Sequence, residues 1–112
     1  MLHFNGSDYD CPFDCFIDIL KGKWRTTILL SLAEKPLYFS ALQKSIPEIS
    51  AKVLAANLQL LEKNHILQRV VYETKPPTVE YSLTEEGIGL IAIMNKINDW
   101  TAVYFVQAPN DN

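Results

Sequence analysis

The sequence predicts an α+β fold, mostly α. Three observations carry this. Apolar residues recur at helical spacing in five separate stretches, around Phe16, Ile28, Leu42, Leu58 and Ile97. One stretch, from Leu67 to Leu83, instead alternates and is rich in β-branched residues, with Pro76-Pro77 in its middle. The chain has 112 residues, 48% of them hydrophobic, which suits a single domain that buries its own core. Four Gly and six Pro exclude a collagen-like or low-complexity chain.

Residues 1–10 are polar and read as a flexible N-terminus, with a folded domain over 11–106 and a flexible tail over 107–112. After Cys11-Pro12, Phe13, Phe16, Ile17, Ile19 and Leu20 fit one face of a short helix, and Gly22 stops it. Lys23 to Ala33 forms a second helix with Trp24, Ile28, Leu29 and Leu32 inward. Pro36 ends it, because its ring cannot continue the hydrogen-bond ladder. Pro36-Leu37-Tyr38-Phe39 reads as a short extended piece. Ser40 then caps a helix of one to two turns carrying Leu42 and Ile46, closed by Pro47.

Ser50 caps the clearest helix, Ala51 to Lys63. Its Leu54, Leu58 and Leu61 recur at i, i+4 and i+7 and face the core. Asn64 is expected to take the left-handed conformation that ends it. Two strands, Leu67 to Thr74 and Val79 to Leu83, meet across Lys75-Pro76-Pro77-Thr78 as a hairpin. Glu85 and Glu86 suit the first turn of a last helix that runs to about Phe105. A short helix, a turn, a longer helix and a hairpin make a winged helix-turn-helix with a two- to three-stranded wing sheet. The second helix of such a motif enters a DNA major groove.

The net charge of −3, taken as a total, opposes a polyanionic partner, but the charge is segregated. Residues 1–20 carry −4, residues 21–75 carry +5 and residues 76–112 carry −4. The basic middle covers the helix-turn-helix. With the leucines of helix 51–63 inward, Lys52, Ala55, Ala56, Gln59 and Lys63 fall on its outer face, with Ala51 in the first turn. Lys52 suits guanine edges or phosphate, Gln59 suits adenine, and alanines suit a thymine methyl. The capping residues Ser40 and Ser50 are candidates to meet phosphate as well.

The motifs, taken in order, resemble the HxlR-type transcriptional regulators, winged-helix relatives of the MarR group. They are Cys11-Pro12, Gly22-Lys23-Trp24, Phe39-Ser40, Ile46-Pro47, Lys52-Val53-Leu54, Leu61-Glu62, and above all Pro76-Pro77 with Val79-Glu80-Tyr81-Ser82-Leu83-Thr84, then Gly87 and Trp100. The resemblance implies a homodimer on a near-palindromic double-stranded DNA operator, with repression as the expected outcome. It places helix 50–63 in the major groove and wing 74–79 near the minor groove. Lys44, Arg69 and Lys75 are candidate backbone anchors and Thr78 a further DNA-binding candidate at the wing, with Lys23 and Arg25 as further phosphate candidates. Terminal helices make the dimer. Phe13, Ile93, Ile97, Trp100 and Tyr104 are its candidate residues, the last four because they exceed what one core stripe needs.

Cys11 occupies the family's N-terminal cysteine position, which implies a possible redox sensor. The bland alternative is a buried, inert thiol, and the same holds for Cys15. Tyr38 and Thr78 stand where the family commonly has basic residues, and Ala56 lies mid-helix where it carries polar ones. That thinning motivates an alternative: a winged-helix protein-interaction module with weakened or lost DNA binding. No catalytic motif or Gly-rich phosphate loop is present, so the chain is read as a non-enzyme without cofactor or metal. No apolar run reaches bilayer length, no basic patch precedes an apolar stretch at the N-terminus, and two cysteines suit a reducing, cytoplasmic setting.

Overall fold

The computed structural model describes residues 1–105. The expected tail over 107–112 lies outside them. The chain folds as β1 (Leu2–Phe4), β2 (Ser7–Tyr9), α1 (Pro12–Leu20), α2 (Arg25–Ser31), β3 (Leu37–Tyr38), α3 (Phe39–Ser45), α4 (Ala51–Lys63), β4 (Leu67–Tyr72), β5 (Thr78–Leu83) and α5 (Glu85–Tyr104). From α2 onward this is the expected winged helix-turn-helix.

The first ten residues correct the sequence reading. They are not loose: β1 and β2 pair antiparallel, with Phe4 opposite Ser7 and Leu2 opposite Tyr9. Asn5 and Gly6 both take positive φ, at 52° and 81°, the backbone of a tight primed hairpin turn. Phe4 is only 5% exposed and joins the core, which anchors the hairpin. The sequence did hold a signal in Asn5-Gly6, the strongest short hairpin dipeptide. Two three-residue strands with one buried apolar side chain between them did not show the alternation that reveals longer strands.

Ile28, Leu29, Leu42, Leu54, Leu58 and Leu61 have no solvent exposure and form the centre of the core. Helix α2 is shorter than expected. Gly22 at φ 108° turns the chain before it, and Leu32 and Ala33 bond back three residues, to Leu29 and Leu30, so its last turn tightens.

Helix α4 begins as predicted. The Ser50 hydroxyl accepts from Val53 N–H at 3.1 Å. Its end differs from the prediction. His65, not Asn64, is left-handed, at φ 63°. His65 N–H bonds to Glu62 C=O at 3.0 Å and Ile66 N–H to Leu61 C=O at 2.9 Å, the double closure of a Schellman motif. Burial of Ile66 against Leu61 accompanies it. Asn64 keeps ordinary backbone, and its side chain donates to Leu60 C=O at 2.8 Å.

Helix α3 starts two residues earlier than predicted. Tyr38 holds the N-cap position and makes no side-chain cap, so Ser40 lies inside the first turn. The cause is β3, whose Tyr38 pairs with Glu80 and leads straight into the helix.

The sheet order is β3-β5-β4, antiparallel throughout. Leu37, Tyr81, Leu67, Leu83 and Val79 share its inner face. Thr84 joins the wing to α5: its hydroxyl accepts from Gly87 N–H at 3.1 Å and donates to His65 C=O at 2.7 Å. At Gly87 a side chain has no room, since a Cβ would lie 2.4 Å from the Ile66 carbonyl oxygen. Helix α5 is buried only through Met94, and every residue from Asn95 to Phe105 is exposed. Among the described residues, no helix is long and apolar enough to cross a membrane.

Candidate nucleic-acid interface

The outer face of α4 is small and basic. Ala51, Lys52, Ala55, Ala56, Gln59 and Lys63 are all exposed, while the opposite face is fully buried. The helix is held at both ends, by the Ser50 cap and by the Schellman closure, so this face is presented on a fixed rod. Asn57 is half-buried and donates to Val53 C=O at 2.9 Å, which turns it away from that face. Lys44, Ser40, Arg69, Lys75 and Thr78 are exposed as well. Lys44 sits in the last turn of α3, Arg69 on β4 opposite Tyr81, and Lys75 and Thr78 at the wing turn. Thr78 also braces the turn: its hydroxyl lies 3.3 Å from Thr74 Oγ1, which donates to the Pro76 carbonyl at 2.7 Å.

Among the described residues, the only Lys or Arg in an ion pair with an acid is Lys21, 3.8 Å from Asp18. The cations of α3, α4 and the wing are therefore free to meet phosphate. Two further candidates are otherwise engaged. Lys23 stands 4.9 Å from the Trp24 ring centroid, as a cation over an aromatic face. Arg25 is half-buried and donates to Asp18 C=O at 2.8 Å, so its guanidinium is a structural clamp rather than an open anchor.

One cluster escaped the sequence reading. On the outer face of the sheet, Tyr72 donates to the Glu80 carboxylate at 3.1 Å, and Tyr38 meets Tyr72 edge to face at 6.2 Å. The carboxylate acceptor holds the Tyr72 hydroxyl above its usual pKa. The period-two spacing of Val70 and Tyr72 puts both on this face, which could have revealed it.

The proposed dimer residues fall in two places. Ile93, Ile97, Trp100 and Tyr104 project from α5, where Trp100 is 57% exposed and packs on the Tyr104 and Phe105 rings at 5.2 and 5.6 Å. A groove of about 300 Å³ beside them is lined by Leu20, Leu30, Met94 and Ile97. Phe13 is exposed on α1, stacked on Phe16. Cys11 is exposed at the N-cap position of α1, and Cys15, one turn on, is buried. His3 bonds Asp8 across the hairpin. Among the described residues, no three His, Cys, Asp or Glu are grouped to hold a metal ion.

Comparison with known proteins places this geometry. Residues 19–109 match the HxlR-like helix-turn-helix family. An HTH-type transcriptional regulator of Bacillus subtilis strain 168, YdeP, is 34% identical over 104 residues, which is 92% of this chain and 81% of YdeP. The reduced form of the transcriptional regulator YodB from B. subtilis matches with a TM-score of 0.78 and 32% identity, over 88% of this chain and 97% of that one. The redox regulator HypR in its oxidized form matches with a TM-score of 0.74 and 32% identity, over 83% and 96%. The chain belongs to the HxlR-like helix-turn-helix family.

Proposed function

We propose that the protein is a cytoplasmic, sequence-specific regulator of transcription that binds double-stranded DNA as a homodimer and represses by occupying its operator. Helix α4 enters the major groove and the wing turn at 74–79 lies near the minor groove. The observation that carries this reading is the outer face of α4: two unpaired lysines flanking small residues, on a helix fixed at both ends. Small side chains let the backbone approach base edges closely, and the lysines neutralise phosphates on either side. Two copies related by a two-fold axis through α5 would place two such helices on the half-sites of a near-palindrome. Fluorescence anisotropy with a duplex from the DNA beside the gene tests it. Saturable binding by the dimer at about 50 mM salt is expected, and a folded dimer that binds no such duplex overturns it.

Cys11 is the candidate redox sensor of this regulator. Its exposure at a helix N-terminus supports the role, as does likeness to HypR, a redox regulator. Loss of DNA binding on treatment with diamide or quinone is expected in the wild type and absent in Cys11→Ser. A second reading, a protein-interaction module, draws on the outer sheet face, where Tyr38, Val70 and Tyr72 surround Glu80 without a basic residue. Binding of a partner protein that needs no DNA and is lost in Tyr72→Ala would favour it.

A further inference from the structure

The N-terminal hairpin reaches the end of α4. At its turn, Asn5 N–H donates to Asn64 Oδ1 at 3.3 Å, and the same Asn64 side chain donates to Leu60 C=O in the last turn of α4. One amide thus bridges the hairpin and the C-cap of the helix. The hairpin is also fastened to α1 and α2, beside the turn through Phe4 and at its open end through Tyr9. Phe4 is inserted in the core, with the Arg25 guanidinium 5.9 Å from its ring centroid. Tyr9 donates to the Asp18 carboxylate at 2.5 Å, and Arg25 bonds the Asp18 carbonyl. The hairpin therefore spans from the α1–α2 corner to the point where α4 stops. Thr84 reaches that same point from the wing side, through the His65 and Ile66 carbonyls.

We infer that the hairpin is a strap that sets the position of α4, with Phe4 and Asn64 as positioning residues for operator recognition. The inference rests on the DNA-binding reading of α4. The Asn5–Asn64 bond is exposed and modest by itself, worth no more than an ordinary hydrogen bond. Its effect comes from what stands behind it: a turn held rigid by Asn5 and Gly6, tied to a buried Phe ring. Base readout requires several side chains to arrive together, so a helix free to shift at one end loses specific contacts before it loses phosphate contacts. None of these residues faces the proposed DNA surface.

The test uses full-length variants. Gly6→Val strains the turn without touching the core, since Gly6 has positive φ and no neighbour near its Cβ position. Phe4→Ala removes the anchor, Phe4→Leu keeps it, and Leu2→Ala is an exposed control. The probes are the duplex from the DNA beside the gene and a scrambled duplex of equal length. Gly6→Val and Phe4→Ala should each speed amide exchange over residues 62–66 and weaken binding to the first duplex, by about tenfold. Binding to the scrambled duplex should stay within about twofold, because it depends on phosphate alone. Phe4→Leu and Leu2→Ala should behave as wild type. Unchanged exchange in folded Gly6→Val overturns the strap. Equal losses on both duplexes overturn the positioning role. If wild type binds neither duplex, the DNA-binding reading fails, and exchange alone still decides the strap.

Discussion

Helices α4 and α5 solve the same packing problem and leave opposite surfaces. Each buries a stripe of large apolar residues: Leu54, Leu58 and Leu61 in α4, and Leu90, Ile91 and Met94 in α5. The remaining face of α4 is mostly alanine, lysine and glutamine, with Val53 the one large apolar side chain exposed. On α5, Ile93, Ile97, Trp100 and Tyr104 form an exposed apolar stripe, with Ile88 and Val103 exposed as well, beside polar residues such as Lys96 and Asp99. An apolar face of that size is costly to leave in water, at roughly 25 cal/mol per Å². A small, basic face costs nothing in water and attracts a polyanion. The difference supports the proposed partners of the two helices: a second copy of the chain for α5, DNA for α4.

The largest effect is expected where apolar cover matters most. Trp100→Glu should weaken the proposed dimer by about a hundredfold or more, read by sedimentation, since a central aromatic anchor dominates such an interface. A dimer of unchanged affinity would break the contrast at its α5 side. Gly87→Ala acts on the buried half of the same helix. Its methyl would collide with the Ile66 carbonyl, which Thr84 also needs, at a cost of about 1–3 kcal/mol, less up to about 1 kcal/mol of helix propensity. Thermal melting should drop by several degrees, and an unchanged Tm would contradict the packing described.

For α4, Ser50→Ala removes the cap on Val53 and should cost about 1 kcal/mol in denaturant unfolding. The smallest effect concerns pH. The Asp18 carboxylate raises the Tyr9 pKa above its ordinary value of 10.0 by accepting its hydrogen bond. A raised phenol contributes stability that is intact below pH about 10 and fades as pH climbs through the raised value. Tyr9→Phe should therefore be less stable than wild type at neutral pH, and the gap should close in alkali. A gap that persists or widens there would contradict the bond.

The α4–α5 contrast was legible in the residues themselves, because both helices are long enough for a 3.6-residue period to declare itself. The wing was legible through alternation on either side of Pro76-Pro77. What escaped lay in short pieces. The hairpin of residues 2–9 has too few positions for a period, and its decisive fact, the burial of Phe4, depends on Arg25 and α1 arriving from elsewhere. His65 takes the left-handed position, although asparagine is the residue that favours it, because Ile66 must follow inward against Leu61. Ser40 lost its cap position because strand pairing at Tyr38 sets where α3 begins. Arg25 looked like any surface cation until the Asp18 carbonyl claimed it. In each case a tertiary contact overrode a local preference of about 1 kcal/mol.

The most direct test is the salt dependence of binding to the duplex beside the gene, for wild type and for Lys52→Ala with Lys63→Ala, both as dimers. If the outer face of α4 meets DNA, log affinity falls steeply with log salt in the wild type. The double variant then loses about two units of that slope per helix and binds at least about tenfold more weakly at low salt. Identical slopes and affinities for the two proteins would contradict the assignment of α4 to DNA.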